Sequence, residues 1–185
     1  MRVLLINPSY PISETPSPPL GLAYLGAALE KAGVQVKILD YVVYPYRRQD
    51  LESVLKKFKP HVAGATAVSM TFNHARQILS AVKAVDPEIL TVMGGPHVTF
   101  CAQETLETFA DLDAVVIGEG EQTIVELLGA VKSALNFDTV NGIAYRAGSK
   151  IMTTAKRNRI KNLDALPFPA RHLIPLGRYR VLGMP

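Results

Sequence analysis

The chain has 185 residues, 48% of them hydrophobic, which is enough for one substantial core and an appendage. No apolar run approaches the roughly eighteen residues of a membrane span, and the opening MRVLLINPSYP is too short and wrongly flanked for a secretory signal, so a cytoplasmic protein with no membrane partner is expected. The net charge of +4 divides into an acidic body, with 11 Lys and Arg against 15 Asp and Glu in residues 1–145, and a basic tail, with nine against one in residues 146–185.

Strand-length apolar runs alternate with helical patterns from the first residues. RVLLIN (Arg2–Asn7) precedes a proline-rich loop and the helix pattern LGLAYLGAALEKAG (Leu20–Gly33), where Gly33 reads as a stop. VQVKILD (Val34–Asp40), the helix QDLESVLKKF, the strand HVAGATAV (His61–Val68) and the helix FNHARQILSAVKAV (Phe72–Val85) follow. The rhythm continues with the strand EILTVMGG, a helix in TFCAQETLETFA, the strand DAVVIG and the helix EQTIVELLGAVKSAL. Five strands alternating with five helices predict an α/β fold, a Rossmann/flavodoxin-like doubly wound five-stranded parallel sheet, because parallel neighbours need helical crossovers. Residues 137–155, with TVNGIAYRAGSKIMTT, predict a C-terminal β-hairpin, and residues 156–185, rich in proline and basic residues, an extended linker toward something that followed it. The basic tail suits a connector or a docking strip for a neighbouring domain better than a nucleic-acid site.

Ligands of an open parallel sheet bind outside the carboxyl ends of the strands. Four loops lie there: the long NPSYPISETPSPPLG, with Tyr10, Pro19 and Leu20; Ser69-Met70-Thr71; Gly94-Gly95-Pro96-His97; and Gly118-Glu119-Gly120-Glu121. The four glycines at neighbouring strand ends make either a trough with exposed amides or a pair of tight turns. Ser69 and Thr71 suit helix caps as well as ligand contacts, and Glu119 and Glu121 suit the positive end of the next helix. His97 has no second ligand at metal spacing. Cys101, the only cysteine, rules out an internal disulfide or cysteine-rich metal centre and reads as a small buried hydrophobe. GEGEQT lacks the third glycine of a dinucleotide turn and places carboxylates where pyrophosphate would sit. The strand ends also lack the acid cluster of a phosphoacceptor domain, and the proline-stiff first loop fits FMN poorly.

Five segments in order, PPLGLAYLGAALEKAG, VMGGPHVT, VVIGEGEQTIVELL, NGIAYR and LDALPFPARHLIPL, resemble the N-terminal cobalamin-binding domain of cobalamin-dependent (class B type) radical SAM proteins over nearly the whole chain. The resemblance implies that residues 1–136 bind cobalamin, and that an intact protein adds a radical SAM domain holding S-adenosylmethionine and a [4Fe-4S] cluster. It further implies methyl transfer by the intact protein, or other radical chemistry with its cobalamin, rather than catalysis by this chain alone. The Asp-x-His-x-x-Gly signature that supplies a lower cobalt ligand in other cobalamin domains is missing, with no histidine between Met1 and Pro60, and the Cys-x-x-x-Cys-x-x-Cys signature is missing too. A corrinoid held with its base displaced and without a histidine ligand is therefore implied. Its tail would run past Gly94, Gly95, Pro96 and His97 and along Gly118, Glu119 and Gly120 and would meet Ser69, Met70 and Thr71, while the loop with Tyr10, Pro19 and Leu20 would cover the corrin face. The alternative is a flavodoxin-like interaction or scaffold domain with no small cofactor.

Overall fold

The computed structural model describes residues 1–10, 16–134 and 136–179. β1 (Arg2–Asn7), β2 (Gln35–Asp40), β3 (Val62–Thr66), β4 (Leu90–Gly94) and β5 (Ala114–Val116) are parallel. The sheet order is β2-β1-β3-β4-β5-β6-β7, continued by β6 (Ile143–Ala147) and β7 (Lys150–Thr153), which pair antiparallel. The expected hairpin thus extends the main sheet to seven strands: β5 is only three residues long and its outer edge needs a partner for its backbone groups.

Successive residues of β1 point to opposite faces, and both faces are covered. Leu4 and Ile6 enter a core closed by α2 (Arg48–Phe58), α3 (Phe72–Val85) and α5 (Ala102–Thr108). Val3 and Leu5 enter a second core closed by α1 (Leu20–Lys31) and α6 (Glu121–Lys132). Burial on both sides explains why the central strands read as unbroken apolar runs. The single helix expected in TFCAQETLETFA is two, α4 (Pro96–Phe100) and α5, because Cys101 leaves the helical region at φ −134° and ψ 38°. Cys101 is half-buried rather than enclosed, its Sγ donating to the His97 carbonyl at 3.1 Å.

Residues 156–179 are a strap laid across the α1/α6 face, more closely packed than an extended linker. Arg157 Nε donates to the buried Thr123 hydroxyl at 2.7 Å, and its guanidinium pairs with Glu126. The Ala170 amide donates to the Ala23 carbonyl of α1 at 3.0 Å, and Ala170 and Ile174 are buried. Gly26 lies under the crossing, where a Cβ would stand 2.9 Å from Leu173 Cδ1 and the leucine tip would have to shift. The last described residue of the strap reaches β2, where the Tyr179 hydroxyl donates to the buried Asp40 carboxylate.

Candidate functional site

The carboxyl ends of β1, β3, β4 and β5 open into a cavity of about 370 Å3. Its floor is two successive cross-strand rows on the α1/α6 face. The deeper row, Leu5, Gly64 and Val92, joins register partners on β1, β3 and β4; the outer row contains Thr66 and Gly94, with Val116 alongside. Gly64 creates the depth: a Cβ there would make ordinary contacts, 3.5 Å from Leu5 and 3.9 Å from the Val92 carbonyl, so the space above it is free for a ligand. The walls are the first turns of α1 (Gly21, Leu22, Leu25) and α6 (Gly120, Glu121, Ile124). A wider depression of about 890 Å3 lies at the opposite ends of the strands, around Arg2, Lys59 and His61, away from the loops that a parallel sheet uses for binding.

The cavity brings together Pro19, Gly94, Gly95, Pro96, Gly118, Glu119 and Gly120. Gly95 is there for the backbone, with φ at +101° and an added Cβ 2.7 Å from the Ala67 carbonyl. Tyr10, Leu20, Ser69, Met70, Thr71 and His97 do not line it. Ser69 Oγ and His97 Nδ1 are hydrogen-bonded at 3.1 Å, and His97 packs at a tilt on Phe72 with centroids 4.3 Å apart. The Tyr10 hydroxyl donates to Met70 Sδ at 3.5 Å, and both side chains are exposed, as is Leu20. Thr71 is buried in its own turn, its hydroxyl accepting from the Val68 amide at 3.1 Å and donating to the Val68 carbonyl at 3.3 Å. Residues 11–15 of the proline loop lie outside the described residues.

Polar groups at the cavity are few and mostly engaged. Asn7 Nδ2 donates to Asp40 Oδ1 at 2.9 Å, and Asp40 also accepts from the Val42 amide at 3.2 Å and from Tyr179. Burial, and then the hydrogen bond to Asp40, push the Tyr179 phenol well above its ordinary range. Glu119 Oε2 accepts from the Ile160 amide of the strap at 2.7 Å. Glu121 Oε2 is buried without a hydrogen-bond partner among the described residues. Those residues hold no cluster of three or more His, Cys, Asp or Glu arranged for a metal ion. They also hold no helix long and apolar enough to cross a membrane.

The B12 binding domain family model matches residues 13–128, a span containing both cavity walls and most of its floor. The chain belongs to the B12-binding domain family. It is 34% identical to the uncharacterized methyltransferase PH0819 of Pyrococcus horikoshii over all of this chain and 41% of that protein. It is 33% identical to the anaerobic magnesium-protoporphyrin IX monomethyl ester cyclase of Rubrivivax gelatinosus, over 90% of this chain and 32% of that one. The chain therefore spans well under half the length of either relative. The solved structure of the cobalamin-dependent S-adenosylmethionine radical enzyme OxsB with aqua-cobalamin bound aligns over 96% of this chain and 25% of its own, with a TM-score of 0.79 and 22% identity. At that identity the likeness is one of fold.

The cofactor of the B12-binding domain is cobalamin, and the residues present fit it. A flat, largely apolar base matches the floor of Leu5, Gly64, Val92 and Val116, and the orphaned Glu121 oxygen offers a hydrogen-bond acceptor beside it. Sequence reasoning missed Leu5, Leu22, Leu25, Gly64, Val116 and Ile124 as lining residues. The one local signal was Gly64, a glycine inside a strand.

Proposed function

We propose that this chain is the cobalamin-holding part of a radical SAM protein, probing no substrate itself and holding the cofactor with its base displaced into the cavity and no histidine on the cobalt. The observation that carries the reading is the floor built on Gly64 between the first turns of α1 and α6, a slot of the right shape for the displaced base. The absence of any histidine before His61, whose Nδ1 accepts from the Arg2 amide at the far end of the sheet, supports a cobalt without a histidine from the loop after β1. When bound, cobalamin supplies a cobalt centre that can carry a methyl group. The chain's own residues do the rest: Leu5, Val92 and Ile124 exclude water from the base, Asp40 fixes the Asn7 amide at the mouth, and Tyr10 and Met70 form an exposed rim beyond the strand ends. Methyl transfer belongs to the intact protein, with S-adenosylmethionine and a [4Fe-4S] cluster on a separate domain.

In the scaffold alternative the tail would dock a partner; Arg157 pairs with Glu126 and His172 with Glu30 on the body, while Lys156, Arg159, Lys161 and Arg171 are exposed. Titration with hydroxocobalamin, followed by gel filtration and a visible spectrum, tests the proposal. Colour that travels with the protein and has a base-off spectrum is expected. A base-on spectrum refutes the displaced-base geometry, and colour that elutes entirely apart from protein at saturating concentrations refutes the binding role of this chain by itself.

A further inference from the structure

We propose that Glu121 recognises the nucleotide tail of cobalamin, accepting a hydrogen bond from a ribose hydroxyl of that tail and turning away ligands that bring a phosphate to the same place. The inference rests on the cobalamin reading above. Glu121 opens α6 and lines the cavity, and its Oε2 is buried with no donor among the described residues. Such an acceptor costs stability unless something satisfies it, so the position calls for a donor. Of the donors around it, Asn7 gives its amide to Asp40, and neither Thr66 in the cavity nor Lys31 and Gln122 in the adjoining hollow under the strap bonds the Glu121 oxygen. Glu119 is not equivalent, because it is already engaged by the Ile160 amide at 2.7 Å.

An ionised carboxylate only accepts, so its complement is an O–H or N–H. The start of a helix at this place in a parallel sheet commonly receives phosphate. A carboxylate there repels a second anion, most strongly where water is excluded. Cobalamin satisfies both conditions, because its tail carries ribose hydroxyls in addition to its phosphate, and can present a donor to Glu121 with the phosphate held away. FMN, a smaller ligand whose phosphate ends its chain, has less freedom to do so.

The test compares hydroxocobalamin with dicyanocobinamide, a corrinoid lacking the nucleotide, on the wild-type chain and on Glu121→Ala and Glu121→Gln. The expected result is a loss of about tenfold or more in hydroxocobalamin affinity for Glu121→Ala, a smaller loss for Glu121→Gln, whose amide oxygen still accepts, and unchanged cobinamide affinity for both. The melting temperature of unliganded Glu121→Ala should be unchanged or higher, since an unsatisfied acceptor has been removed. Equal losses for both corrinoids, or a lowered melting temperature with selectivity unchanged, overturn the proposal by making Glu121 a structural residue. If the wild-type chain binds both corrinoids equally, the tail is not read here and this proposal alone fails; if it binds neither, the cobalamin reading fails with it. FMN binding that is equally weak in wild type and Glu121→Gln overturns the phosphate-exclusion part.

Discussion

Gly95 and Gly64 lack side chains for different reasons, and substitution separates them. At Gly95 an alanine combines a left-handed backbone with contact to the Ala67 carbonyl at 2.7 Å, so Gly95→Ala should lower unfolding free energy in urea by about 1–3 kcal/mol whether or not a ligand binds. A side chain there is therefore a poor probe of the trough. Gly64 has extended backbone and room for a Cβ, and valine suits a strand, so Gly64→Val should keep the urea midpoint close to wild type. The same change should weaken hydroxocobalamin binding at least tenfold, on the order of 1.4 kcal/mol, by filling the cavity floor. Unchanged affinity would remove the base from that floor. The paired glycines at Gly94–Gly95 and Gly118–Gly120 could be read because turn chemistry is local. Thr71 and Ser69 could not be placed, because adjacency in the chain says nothing of which way a hydroxyl points, and Thr71 closes its own turn.

At the scale of elements, period and length carried the first five strands and most helices, because those signals follow from burial on two faces or one. The division into α4 and α5 was hidden, since Cys101 is no breaker by type and only its backbone departs. The pairing of β6 with β5 was hidden as well, being a contact between segments that the pattern alone leaves unattached. Two tyrosines pin the late elements, and alkali should reveal them. The hydrogen bond to Asp138, and then burial, push Tyr145 up to about 12, while burial and Asp40 raise Tyr179 further. Both phenols are protonated in the fold at a pH where the unfolded chain, at about 10, begins to lose its protons. Their contribution is complete below about pH 10 and is lost as pH rises through the folded values. Stability measured by urea unfolding should accordingly decline above pH 10 in the wild type and decline less steeply in Tyr145→Phe and Tyr179→Phe. At neutral pH Tyr179→Phe should cost about 1 kcal/mol, because Asp40 keeps the donors of Asn7 and Val42.

For the whole molecule the strap is the decisive surprise, and its composition concealed it: prolines and charges read as a solvated connector, yet Ala170 and Ile174 are buried against α1 and β2. Removing residues 156–185 should lower unfolding free energy by about 3 kcal/mol, from the buried Ile174 side chain and the lost hydrogen bonds of Arg157 and Tyr179, as read by urea denaturation. An undiminished midpoint would show that the strap adds nothing to the fold. Its path also sets an order of events during synthesis. Tyr179 closes on Asp40 across 139 positions, so the first strand pair, though made earliest, waits for the last described residue before its buried carboxylate gains its third donor. Contacts of such long separation form slowly because the chain must be gathered before they reward it. A ribosome-bound chain halted at residue 155 should therefore hold its β1–β2 end in a state more open to protease than the released protein, and release should close it.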